Sequence, residues 1–69
     1  MLLKLFEQVL TELAVEVDLH YMDQDVDGLQ ETIGLLREGC AELVAQQRQV
    51  PEAVAHVLHR FALYDLRAA

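Results

Sequence analysis

Three carboxylates alternate along the chain at Asp23, Asp25 and Asp27, and Gly28 follows at once. A calcium loop presents its first oxygen ligands at this spacing and turns sharply at a glycine in its sixth position. The second half of such a loop is missing. Its twelfth position, which needs a bidentate Glu, is Gly34, and its eighth, ordinarily hydrophobic, is Gln30. Glu31 alone cannot complete the coordination shell, so calcium binding by a helix-loop-helix stands only as an alternative. Glu52, His56 and His59 give a second metal-like spacing on one helix, and Glu16 with His20 another. Such pairs arise by chance in helices, and no second cysteine completes a zinc site. Neither metal nor cofactor is expected.

Nucleophilic chemistry has little to work with. The chain contains no serine, no Gly-rich phosphate loop and one cysteine, Cys40, which falls on an apolar seam. A thiol in apolar surroundings is inert. No catalytic residue is assigned, and the expectation is a protein that is not an enzyme.

The elements that position these residues are legible from apolar spacing. Val26, Leu29, Ile33, Leu36, Cys40 and Leu43 alternate at intervals of three and four, the a/d seam of a coiled-coil-like helix. That helix is predicted over 24–47, with Asp23 or Asp25 as its N-cap and acids in its first turn opposing the macrodipole. Gly28, Gly34 and Gly39 interrupt it, each at a cost of up to about 1 kcal/mol relative to Ala unless another helix approaches closely. All three are read as lying off the centre of the seam.

A first helix is predicted over 2–21, its buried stripe formed by Leu3, Phe6, Leu10, Leu13, Val17 and Tyr21. Val15, Leu19 and Met22 project to nearly the opposite side. The same segment offers a rival period: Val15, Val17, Leu19 and Tyr21 alternate with Glu16, Asp18 and His20, as in a half-buried strand that would pair with a second copy in a ribbon-helix-helix dimer. The helix is favoured because the upstream stripe continues without a phase break and neither Gly nor Pro intervenes. Pro51 opens a third helix, predicted over 51–67. Val54, Val57, Leu58, Phe61 and Tyr64 lie on one of its sides, and His56, Arg60 and Arg67 on the other, a basic strip suited to an acidic neighbour. The expected fold is all-α, one domain spanning 1–69: a three-helix bundle made of a hairpin plus one helix.

Charge narrows the function. Residues 5–36 carry eight acids and no Lys or Arg, and the whole chain stands at −7. Such a surface repels a phosphate backbone and attracts a basic protein. A helix-turn-helix or ribbon-helix-helix DNA-binding regulator is therefore only an alternative, and no direct nucleic-acid contact is expected. Apolar residues make up 54% of a chain of 69 residues, more than so small a domain easily covers alone. This points to a homodimer or to binding another protein. With no signal-like start and no apolar run of membrane-spanning length, the expected setting is the cytoplasm, away from membranes.

The sequence thus indicates a small acidic protein-protein interaction module. Its expected partner surface comprises Val15, Leu19, Tyr21, Met22 and Leu35, rimmed by Glu16, Asp18, Asp23, Asp25 and Asp27, and its expected partner is a protein with a basic, partly apolar surface. A stoichiometric inhibitor or anti-activator of a regulatory protein is the leading role; an adaptor or a chaperone for a hydrophobic client segment is the alternative.

Overall fold

The computed structural model describes residues 2–64, with side chains from Lys4 onward. Three α-helices follow one another: α1 (Leu2–Met22), α2 (Val26–Ala45) and α3 (Glu52–Arg60). A single 3-10 turn, Ala62–Tyr64, ends the described chain. Helix α1 is continuous through 14–21, so the strand period there is not used. The apolar stripe runs unbroken into α2's packing surface, and no strand occurs among the described residues.

Helices α1 and α2 form an antiparallel hairpin, and the shorter α3 packs across one of its faces. The molecule measures 35 × 24 × 16 Å, the thin dimension reflecting two helix layers. The core is Leu10, Ala14 and Val17 from α1, Leu29, Ile33, Leu36 and Leu43 from α2, and Val54, Val57 and Phe61 from and beyond α3. Phe6, Leu13, Cys40, Val50, Leu58 and Tyr64 pack around it.

The predicted seam of α2 holds from Leu29 to Leu43, but Val26 does not belong to it. Val26 is the first residue of the helix, directly after the turn that joins α1 to α2, and is half exposed. Tyr21 likewise leaves the buried stripe of α1: its ring packs at a tilt against Phe61 and the residue is half exposed. Ala14, Thr32 and Gly39 are buried in places that apolar spacing did not mark. Leu3 lies outside the described side chains, and Arg67, with the predicted end of the third helix, outside the described residues. Within them, α3 stops at Arg60, where the chain tightens into the 3-10 turn.

Both α1 and α2 end in the same way. Asp25 N–H donates to the His20 carbonyl and Gln24 N–H to that of Tyr21; Arg48 N–H donates to Leu43 and Gln47 N–H to Val44. These paired bonds are Schellman motifs, with the left-handed residue supplied by Gln24 (φ 59°) and Gln47 (φ 58°). Glycine takes this conformation without the steric penalty of a Cβ. Gln24→Gly and Gln47→Gly are each expected to stabilise the fold by about 0.5–1 kcal/mol, read as a rise in denaturation midpoint at an unchanged denaturant slope.

Candidate functional site

Between α1 and α2 the chain reverses in three residues, and Asp25 ties both sides together. Its Oδ1 accepts from Gly28 N–H at 3.0 Å as the N-cap of α2, while its Oδ2 lies 3.2 Å from His20 Nδ1 on the last turn of α1. Gly28 lets this happen. A Cβ there would overlap the Asp25 carboxylate and lie 2.8 Å from the His20 ring.

The Asp-rich segment is therefore a helix junction. Asp23 sits in the turn, Asp25 caps, and Asp27 lies in the first turn of α2. The calcium-loop likeness ends where α2 begins, because helical geometry from Val26 onward sends successive carboxylates to different sides. Glu52, His56 and His59 share the exposed outer surface of α3. No group of three metal-type side chains converges among the described residues.

Helix α3 meets the acidic helix through charge. Arg60 Nη1 donates to Asp18 Oδ1 at 3.2 Å, as its basic strip implied. Asp18 is thus engaged within the molecule rather than held out as a rim. The pair is about half exposed, which limits its worth to the small range of surface ion pairs.

Of the expected partner surface, Val15, Leu19 and Met22 remain open. Their exposures are 57%, 53% and 75%, and the i, i+4, i+7 spacing sets them in one line on the outer face of α1. Leu35 is also half exposed, but it lies across the α1–α2 groove beside Phe6, Val9 and Leu13. The centre of its α1 wall is roughly 150° around the helix from the centre of the Val15–Leu19–Met22 line. Tyr21 faces Phe61 at a centroid distance of 5.2 Å and belongs to neither surface. Leu5 and Val9, half exposed on α1, were not singled out by the sequence. Their i, i+4 spacing with Leu13 was the available signal.

The recess beside the helix junction, lined by His20, Tyr21, Val26 and Tyr64, holds about 140 Å³. Small-molecule sites begin at roughly 300 Å³. Cys40 is half-buried, and burial pushes its thiol pKa up, away from the thiolate that nucleophilic chemistry requires. No helix among the described residues is long and apolar enough to cross a membrane.

Fold and surface together define a small all-α, three-helix chain with an acidic, partly apolar exterior. Neither protein-family models, nor curated proteins, nor solved structures give a match to it.

Proposed function

We propose that this chain is a protein-interaction module whose contact surface is the outer line of α1. One observation carries the reading: Val15, Leu19 and Met22 stand half to three-quarters exposed in a row, on the side of α1 away from the core. The residues around that row supply the acids Glu12, Glu16 and Asp23, while Arg60 reaches its other flank through Asp18. Three apolar anchors in a row suit a complementary apolar stripe, which supplies affinity. The acids accelerate encounter with a basic partner and disfavour acidic ones. The role that fits is a stoichiometric inhibitor or anti-activator of a regulatory protein. Adaptor or client-holding roles use the same surface chemistry and are separated from it by what the partner does once bound.

Self-association belongs to the same reading. A domain of this size leaves much apolar surface open, and pairing two copies covers it.

The test is affinity capture from the host lysate with the native chain and with Leu19→Asp, both checked by circular dichroism for an intact fold. The native chain is expected to retain a specific protein, more weakly as salt rises. The variant is expected to lose it by tenfold or more. Equal retention by a folded Leu19→Asp would overturn the assignment. Sedimentation of the free chain addresses the dimer separately.

A further inference from the structure

The hairpin has two faces, and α3 covers one. On the other, α1 and α2 enclose a shallow groove of about 290 Å³ whose apolar lining includes Phe6, Val9, Leu13 and Leu35, with Gly39 beneath. Gly39 is what brings the helices together here, since a side chain at that position would overlap Leu10.

The rims of this groove share a pattern. On α1, Leu5, Val9, Glu12 and Glu16 follow at i, i+4, i+7 and i+11; on α2, Glu31, Leu35, Glu38 and Glu42 do the same. This is the a/d spacing by which helices lie along one another. Leu5, Val9 and Leu35 are 59%, 50% and 48% exposed, and all five glutamates are exposed. The basic residues of these two helices, Lys4 and Arg37, point about 100° or more away around their own axes from the rim lines.

We infer that this groove is a docking site for a basic amphipathic α-helix of another protein, separate from the outer line of α1. The occupant's shape follows from the groove: two antiparallel helices of 21 and 20 residues offer a channel that a further helix fills to complete a four-helix arrangement. Its charge follows from the rims. A helix with Leu at its a/d positions and Lys or Arg beside them sets its apolar stripe on Val9, Leu13 and Leu35 and its cations against carboxylates on both sides. A second copy of this chain is the wrong occupant, because the same groove would bring Glu12, Glu16, Glu31 and Glu42 against their own copies. The inference shares the exposed Glu12 and Glu16 with the rim of the proposed outer line, but its apolar floor, Phe6, Val9, Leu13 and Leu35, is a different set of residues from Val15, Leu19 and Met22, so each surface is tested by its own variant.

The probe is a fluorescein-labelled synthetic helix of about three turns or more, Leu at a/d and Lys elsewhere, with a scrambled peptide of the same composition as control. Binding is followed by anisotropy and by methyl NMR of the full chain. The patterned peptide is expected to bind at least tenfold more tightly than the scrambled one and to shift the Val9, Leu13 and Leu35 methyls. Leu35→Asp is expected to weaken it tenfold or more, while Leu19→Asp leaves it within twofold. Both variants are first shown to be folded by their melts, and Val9→Asp serves in place of Leu35→Asp if that variant is not. Absence of binding, equal affinity for the scrambled peptide, shifts confined to Val15, Leu19 and Met22, or a dimer of the free chain that buries the groove would each overturn the inference.

Discussion

Replacing Phe61 with Ala is expected to cost about 3–5 kcal/mol and to lower the melting temperature by more than roughly 12 °C. Phe61 is buried, although it lies just beyond the last residue of α3. Its ring meets Tyr21 of α1 at 5.2 Å and Tyr64 at 6.1 Å, both tilted. Such pairs add about 0.5–1.5 kcal/mol each beyond burial. Arg60 lies 5.0 Å above the same ring, while its guanidinium reaches Asp18. One side chain therefore fastens the end of the short third helix to the first. A domain of this length has a total stability of only several kcal/mol, so Phe61→Ala approaches global unfolding. Phe61→Leu, which keeps most of the volume, is expected to lose far less. A melt of Phe61→Ala within a few degrees of the native chain would show that the aromatic cluster does not hold α3.

The second large effect contrasts two glycines on one helix. Among the described residues no atom beyond its chain neighbours and its own helix backbone lies within 4 Å of where a Cβ would stand at Gly34, so Gly34→Ala is expected to stabilise α2 by up to about 1 kcal/mol. At Gly39 the same methyl would overlap a δ-carbon of Leu10, with the other δ-carbon at 3.0 Å and Cγ at 3.2 Å. Leu10 is itself buried in the core and borders the α1–α2 groove, so it yields to the methyl only by leaving its packed position. Overpacking of this kind costs about 1–3 kcal/mol, against about 1 recovered from helix propensity. Gly39→Ala is therefore expected to destabilise by up to about 2 kcal/mol, opposite in sign to Gly34→Ala. Chemical denaturation of both variants checks this, and a double-mutant cycle with Leu10→Ala is expected to show that the cost depends on Leu10. Equal effects at the two glycines would mean that the helices do not approach closely at Gly39.

These two sites show how much of the fold was legible beforehand. Apolar spacing marks the helices well, because a 3.6-residue period reports which way a side chain points around its own axis. The seam from Leu29 to Leu43, the cap at Asp25 and the break near Pro51 all follow from such local signals. Spacing does not report which neighbour lies opposite. Gly39 and Ala14 are buried because another helix comes close, and small residues carry no periodic signal of that. Tyr21 has the phase of a core residue, yet its position is decided by Phe61, forty residues later. Val26 has the phase too, but lies at a helix end and is half exposed.

The candidate surface divides in the same way. Val15, Leu19 and Met22 are legible as a line because they share one helix. Leu35 lies on another helix, and only the pairing of α1 with α2 assigns it to the groove beside Val9 and Leu13. Asp18 and Asp25 looked like part of an acidic rim by type alone; the fold engages them with Arg60 and with His20 and Gly28. Of the other expected rim residues, Glu16 and Asp23 lie on α1 and its following turn and Asp27 on the first turn of α2, while Glu12, which was not expected there, adjoins the line one turn from Val15.

The central claim is that this outer line of α1 is what a partner touches. Methyl NMR of the chain labelled at Leu, Val and Met, alone and saturated with the protein it captures, reads that claim residue by residue. The account predicts that the largest shifts fall on Val15, Leu19 and Met22. Unmoved methyls at those three positions in a saturated complex would contradict it.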